Sequence, residues 1–261
     1  MTSPRLTVIT PSLNQGTFIE RTIRSVLDQG YPDLEYIVID GGSTDGTTEV
    51  LRRYDDQLVW VSEPDTGQAH AINKGLGRSS GQIVAFINSD DFYLPGAFSA
   101  ALRAFESPAV VWVAGACRYE RPDGTVETVW RPALPTGRRR VDWLEQIWNV
   151  PQPGCFWRRE VFETHGAFRE DLHYVFDSEF ELRLALAGVL PVPIDDIVAV
   201  RYLQPDAKSE NPEKFRDEFA RVRPTLARQL SLGDRGRLLA RTSLSRFRRW
   251  VWRLRQGIVR T

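Results

Sequence analysis

The order of segments in this 261-residue chain predicts an α/β fold in which a mostly parallel sheet is flanked by helices. Three observations carry that expectation. Short β-rich runs alternate with stretches of helical periodicity as far as Ile87. The run from Leu34 to Ile39 is apolar enough to be covered on both faces, as parallel strands are. Acidic residues then fall just beyond strand ends, Asp40 after the second strand and Asp90-Asp91 after the fourth. Open α/β sheets bind ligands outside the carboxyl ends of their strands, so these acids mark the expected functional edge.

Leu6 to Thr10 is the first expected strand, ended by Pro11, which has no N–H to give a ladder. Phe18, Ile19, Ile23, Val26 and Leu27 recur at helical spacing and predict an amphipathic helix over residues 17–29. Leu34 to Asp40 is the second strand. Gly41 to Gly46 reads as a turn with a helix N-cap, and the helix that follows runs to about Tyr54. Leu58 to Ser62 is a third strand, residues 67–77 a third helix, and Gln82 to Ile87 a fourth strand delivering Asn88-Ser89-Asp90-Asp91. The second half is less regular. Val110 to Cys117 is a strand, Tyr119 to Trp130 a hairpin turning at Asp123-Gly124, and Trp143 to Trp148 a short helical piece. Residues 177–187 form a helix and Val192 to Tyr202 a strand.

Composition is that of a globular protein, 42% hydrophobic and 26% charged. Two cysteines, Cys117 and Cys155, cannot build a disulfide framework or a Cys-rich metal site, and a reducing cytosol suits them. Met1 to Pro4 lead straight into the first strand, so no secretory signal is expected, and no apolar run nears the roughly 18 residues that span a bilayer. Charge is unevenly placed. Residues 221–261 hold twelve Arg and one acid, Asp234, a net of +11, and since the chain has 34 basic and 34 acidic groups the rest carries −11. Within that tail Leu244, Phe247, Trp250, Val251, Leu254 and Ile258 repeat at helical spacing among Arg246, Arg248, Arg249, Arg253 and Arg255. A basic amphipathic helix bearing Trp suits a membrane surface, through residues 235–261. Docking on the acidic body and a nucleic-acid arm are the alternatives, and no nucleic acid is expected as partner.

Asp90 and Asp91 follow a buried strand, where two acids repel unless a cation or water screens them. Mg²⁺ or Mn²⁺ is commonly held by one or two carboxylates plus substrate phosphates; the competing explanation is a turn with helix-capping acids before Pro95. Asp40 precedes Gly41-Gly42, where a ligand could approach the backbone, or else caps the next helix. Asp65-Thr66-Gly67-Gln68 opens a helix that can face phosphate or sugar. Lone His70 is expected to be a surface or packing residue. Asp177 is either a first-turn helix acid, with Ser178 and Glu181 forming a capping box, or a general base.

Taken in order, the motifs resemble family 2 glycosyltransferases, in particular their bacterial polysaccharide-assembly branch. The matching stretches are Thr10-Pro11-Ser12-Leu13-Asn14-Gln15-Gly16, Gln29-Gly30-Tyr31-Pro32, and Glu35 through Thr47. Glu63 through Gln68, Ala71-Ile72-Asn73-Lys74-Gly75 and Phe86 through Asp91 continue the series. Gln152-Pro153, Phe156-Trp157-Arg158-Arg159, Phe176-Asp177-Ser178-Glu179 and Leu182-Arg183-Leu184 complete it, so the resemblance covers about residues 5–200. It implies an inverting, metal-dependent enzyme of GT-A (Rossmann-like) fold; with the charge pattern, this gives a domain over residues 1–220 and an Arg-rich helical tail over 221–261. The nucleotide-sugar half would span about 1–117 and the acceptor half about 118–220.

The resemblance also implies roles. Asp40 would contact the nucleotide base, Asp90 the ribose or sugar, and Asp91 the Mg²⁺ or Mn²⁺ bridging the diphosphate. Pro11, Asn14, Gly42, Asp65 and Asn73 would complete the nucleotide-sugar site. Asp177 would deprotonate the acceptor hydroxyl, with Gln152, Trp157 and Glu179 on the acceptor side. The implied partners are a nucleoside-diphosphate sugar and a glycan or lipid-linked acceptor; cysteine usage points to the cytoplasm and the tail pattern to the cytosolic membrane face. A Gln-x-x-Arg-Trp motif is missing, so a processive polymer synthase is not expected. The alternatives are a non-catalytic relative that binds nucleotide sugar, and a nucleotidyltransferase. The latter expects a Gly-rich, basic loop where Pro11-Ser12-Leu13-Asn14 stands.

Overall fold

The apolar alternation of the first half folds into parallel strands in the computed structural model, which describes residues 3–132, 150–204 and 212–234. β1 (Leu6–Ser12), β2 (Leu34–Asp40), β3 (Val59–Ser62) and β4 (Ile83–Phe86) are all parallel and lie in the order β3-β2-β1-β4. β1 is buried along its whole length, as expected for a central strand covered on both faces. Pro11 does not end it. β4 stops opposite Ile9, so beyond that point β1 has a ladder partner on one side only and a missing N–H is tolerated. Register sets Ser12 beside Asp40 and Asp40 beside Ser62, so three strands finish at one edge.

Helices α1 (Ile19–Leu27), α2 (Thr47–Arg52) and α3 (Gln68–Arg78) cover this part of the sheet, and α4 (Ala97–Ala104) packs on the strands that follow. α1 buries Ile19, Thr22, Ile23 and Val26, the stripe that the spacing predicts. α3 comes close enough that a Cβ on Gly75 would stand 2.6 Å from Cγ2 of Ile9, which explains a glycine inside a helix.

From β4 onward the sheet becomes mixed. β8 (Cys155–Arg158) is antiparallel to both β4 and β6 (Trp112–Glu120), and β9 (Val192–Tyr202) returns parallel to β6. β5 (Phe92–Tyr93) closes the edge against β9, and β7 (Val126–Trp130) pairs with β6 as the expected hairpin, with Gly124 at φ 83°. Helices α5 (Arg159–His165), α6 (Phe176–Ala187) and α7 (Pro212–Ala227) belong to this half. α6 is buried nearly all round, from Phe176 to Leu186, and so has no polar stripe to reveal it. An aromatic cluster lies under it. Trp157 stacks on Phe86 at 6.1 Å and on Trp112 at 6.4 Å, with Phe162, Phe168 and Phe180 against its edges.

Val222, Leu226 and Leu230 pack into the same core. Among the described residues the core thus extends to Leu230. The expected helical piece at Trp143–Trp148 and the tail over residues 235–261 lie outside the described residues. No helix among the described residues is long and apolar enough to cross a membrane.

Candidate active site

A cavity of about 500 Å³ opens where the carboxyl ends of β1, β4 and β9 face the N-terminus of α6. Its wall includes Pro11, Asp65, Gln68, Asn88, Asp90 and Asp91 from the first half of the chain. Gln152, Asp177, Glu181, Arg201, Tyr202 and Gln204 contribute from the second. Asp90-Asp91 and Asp177, marked separately in the sequence, thus share one space.

The acid pair is held from behind by α1. Thr22 donates its hydroxyl to the carbonyls of Ser89 (2.9 Å) and Asp91 (2.6 Å), and Arg21 donates to the Asp90 carbonyl at 3.3 Å. The Arg21 guanidinium lies between the rings of Phe92 and Tyr202, 4.2 Å from each centroid. Asp91 is almost fully buried. It accepts from the Tyr202 backbone N–H at 2.9 Å and from the Asn88 amide at 3.3 Å, and Gln68 fixes Asn88 at 2.5 Å. Asp90 accepts from Gln204 at 2.8 Å. Burial, with the Asp90 charge added, pushes the Asp91 carboxyl up to about 8, and burial also raises Asp90. Such a pair holds negative charge at a cost that a divalent cation would remove. The donors fit one: they are hard oxygens, and no cluster of three or more His, Cys, Asp or Glu completes a cage among the described residues. A hydrated ion held by Asp90 and Asp91 would need substrate phosphates to complete its shell.

Arg201 is the one Lys or Arg among the described residues that line this cavity. It stands at the carboxyl end of β9, half-buried, 5.1 Å over the Tyr119 ring, with its guanidinium donating to the Tyr119 hydroxyl at 3.4 Å. Its field favours the ionised forms of both Asp91 and Asp177. It is not engaged in any ion pair within 4.0 Å among the described residues. Nothing in the residue patterns singled it out, although an arginine closing the apolar run Ile197-Val198-Ala199-Val200 was a signal of the same kind as Asp40 after β2.

Asp177 sits in the first turn of α6, where its Oδ1 accepts from the Ser178 N–H at 2.7 Å and from the Ser178 hydroxyl at 3.3 Å. Burial raises its carboxyl, with Arg201 and the Ser178 hydrogen bonds opposing. The expected capping box does not form, because the helix begins after Val175 and Ser178 lies inside it. Glu218 of α7 caps the turn instead. Its buried carboxylate accepts from the backbone N–H groups of His173, Tyr174 and Val175 at 2.5 to 3.0 Å. Glu181, expected only as a capping partner, opens on the cavity one turn beyond Asp177.

Several expected site residues stand elsewhere. Asp40 is fully buried. Its carboxylate accepts from the N–H groups of Gly42 (3.2 Å) and Ser43 (2.9 Å), from the Ser43 hydroxyl, and from the Ser62 hydroxyl at 2.6 Å. It shapes the turn that carries Gly42 and does not line the cavity. The turn matters to its neighbour, since a Cβ on Gly41 would meet Asp65 Oδ2 at 2.7 Å. Asn14, at φ 53°, ties its loop to that same turn, accepting from the Thr44 N–H at 2.9 Å. Asn73 clamps the segment after α5, donating to the Phe168 carbonyl at 2.8 Å and accepting from its N–H at 3.1 Å. Glu179 turns away from the cavity into a buried pair with Arg183 at 3.1 Å, and Trp157 is 1% exposed in the aromatic core. Gln152 is on the wall as expected, its amide donating to the Phe86 carbonyl at 2.9 Å. His70 is a local brace, accepting from the Thr66 N–H at 3.1 Å.

Residues 7–166 match the family described as Glycosyl transferase family 2. An uncharacterized glycosyltransferase of Mycobacterium tuberculosis (strain ATCC 25618 / H37Rv) is 33% identical over 193 residues, 71% of each chain. A Bacillus subtilis (strain 168) protein named for teichuronic acid biosynthesis is 47% identical over 92 residues, 34% of this chain and 36% of its own length. The GalNAc(5)-diNAcBac-PP-undecaprenol beta-1,3-glucosyltransferase of Campylobacter jejuni is 36% identical over 124 residues, 45% of this chain and 40% of that enzyme. The chain thus spans well under two thirds of the length of these last two relatives. Among solved structures, S. aureus TarS 1-349 in complex with UDP-GlcNAc superposes with a TM-score of 0.70 at 18% identity, covering 90% of this chain and 71% of that one. The mannosyltransferase PcManGT of Pyrobaculum calidifontis, in complex with GDP-Man and Mn2+, gives a TM-score of 0.61 at 22% identity over 96% of this chain and 84% of that one. These two likenesses establish the fold.

Proposed function

This chain belongs to glycosyl transferase family 2, and from that membership we propose an inverting transferase that moves a sugar from a nucleoside-diphosphate sugar to a hydroxyl of a glycan or lipid-linked acceptor. Cell-surface polysaccharide assembly is the setting, which the teichuronic acid and undecaprenol-linked relatives support. The observation that carries the proposal is the single cavity in which the acid pair Asp90-Asp91 and the raised carboxyl of Asp177 both feel Arg201. One end of such a site suits an anionic leaving group and the other suits removal of a proton.

Asp91, with Asp90 beside it, would hold Mg²⁺ or Mn²⁺, which when bound supplies neutralising charge to the departing nucleoside diphosphate. Arg201 adds positive charge from β9, and the N-terminus of α3, with Gln68 on the wall, offers N–H donors to phosphate. Asp65 and Pro11 border the donor. Asp40, Gly42, Asn14 and Asn73 act in this reading through the loops that they brace. On the acceptor side Asp177 takes the hydroxyl proton as that oxygen attacks the anomeric carbon. The bond from that carbon to the diphosphate oxygen breaks on the opposite face, its electron pair leaves with the nucleotide, and the configuration inverts.

Thermal stabilisation by UDP, GDP and dTDP, with and without Mn²⁺, identifies the donor class. Asp177→Asn should keep that stabilisation and slow transfer by about 10²–10⁴-fold. Near-normal turnover in the variant removes Asp177 from the base role. Membrane attachment belongs to the proposal through residues 235–261 and rests on the residue pattern of that segment alone. Removing those residues should abolish binding to anionic-lipid vesicles, and unchanged binding would refute the attachment.

A further inference from the structure

Glu181 presents a chemistry that the reaction above does not use. It is 7% exposed, opens on the cavity, and stands one helical turn beyond Asp177, so the two carboxyl-bearing side chains are i, i+4 neighbours with Cβ atoms about 5–6 Å apart. No lysine, arginine or backbone N–H reaches it among the described residues. Among the described residues its one hydrogen-bond partner is the Cys155 thiol, Sγ to Oε1 3.8 Å. The titratable groups that face it are Asp177 on its own helix and Cys155 on β8. A buried carboxylate without a cation is costly, and where nothing pairs it the neutral acid wins. Burial and the neighbouring Asp177 push Glu181 in that direction, well above the usual carboxyl range. A neutral carboxylic acid, unlike a carboxylate, has an O–H to donate.

If Glu181 only filled space, leucine or methionine would do so without desolvating an acid. Polar groups buried without protein partners and open to a cavity are the ones a ligand completes. We propose that Glu181 is an acceptor-recognition residue, donating a hydrogen bond to a second hydroxyl of the acceptor while Asp177 holds the hydroxyl that reacts. Adjacent hydroxyls of a sugar ring reach both side chains at once, whereas a lone alcohol reaches one. The preferred acceptor is therefore a sugar with a free hydroxyl beside the reacting one. The inference rests on the transferase reading.

Two experiments on the full chain test it. In the first, wild type, Glu181→Gln and Glu181→Leu are assayed with p-nitrophenyl glycosides and their monodeoxy analogues as acceptors. Glu181→Leu should raise acceptor KM at least about tenfold with donor KM unmoved, and should lose the preference for the glycoside over its deoxy analogue. Glu181→Gln, which keeps an N–H to donate, should recover most of that loss. Equal losses in both variants, or an undisturbed preference in Glu181→Leu, overturn the proposal. The second needs no turnover: difference infrared spectroscopy should show a neutral carboxyl carbonyl band at pH 7 that Glu181→Gln removes and that a bound glycoside shifts. Absence of the band, or a band that no glycoside moves, overturns the inference even if wild type transfers sugar. A band that shifts with glycoside in a protein that never transfers keeps Glu181 as a glycoside-binding group and sinks the transferase reading instead.

Discussion

The two halves of the sheet position their functional groups by different means. In β3-β2-β1-β4 every neighbour is parallel, and each acid stands at or just beyond the end of its own strand: Asp40 ends β2, and Asp90-Asp91 follow β4 after a short turn. Local chain geometry delivers them to the edge, as in open α/β sheets generally. In β8-β6-β9-β5 the strands pair out of sequence order, and Asp177 reaches the same cavity from a helix seated on an aromatic core and capped by Glu218, 41 positions along the chain. The difference teaches that the donor side rests on strand-and-turn geometry and the proposed acceptor side on long-range packing. Core damage should therefore strike the second half's chemistry first.

The largest expected effect follows from that contrast. Trp157→Ala removes the ring on which Phe86, Trp112 and Phe180 converge and should cost about 3–5 kcal/mol in urea denaturation. Trp157→Phe, which keeps most of the contact, should leave acceptor KM near wild type. A large rise in acceptor KM with unchanged stability would instead make Trp157 a wall of the acceptor site and break the comparison.

Asp91→Asn probes the other half. It removes the carboxylate that a cation would ligate, while the Asn oxygen can still accept from the Tyr202 N–H. It should abolish the metal-dependent part of a nucleotide stabilisation that totals about 2.7 kcal/mol at a nucleotide concentration one hundred times Kd. Stabilisation that persists with metal in the variant would place the cation elsewhere.

What could be seen in advance divides along the same line. The strand Leu34–Asp40 was legible to the residue, because a run covered on both faces needs only hydrophobicity and a terminating turn. Asp90, Asp91 and Gln152 were legible as cavity residues, whereas Trp157 and Glu179 were placed on the acceptor side by motif and belong to packing. A motif marks which residues stand near a site, but whether a side chain faces the cavity or the core is decided by helix phase. Positions 177 and 181 share one face of α6, and 179 and 183 share another. Glu218 carried no local signal, since its partners at His173 to Val175 are distant in sequence and joined only by the packing of α7 on α6.

The smallest expected effect is the most specific to the second half. Asp177 is raised by burial, so the folded state keeps its proton to higher pH than the unfolded chain does. Between the ordinary carboxyl value of about 3.9 and the raised folded value, the native state binds more protons, and stability falls as pH rises through that window. At neutral pH the ionised, poorly solvated carboxylate is then a liability that Asp177→Asn removes. The variant should melt no lower than wild type at pH 7 and should lose the wild-type advantage at acid pH, by calorimetry across pH 4 to 8. The rate obeys the opposite sign, because a base must be ionised, so transfer rises through the same raised value. Arg201 opposes the rise, and Arg201→Gln should move the acid limb of the rate profile to higher pH. A limb that stays in place would mean that Arg201 acts on the donor side alone, and that the electrostatic link between the two halves of the cavity carries no catalytic weight.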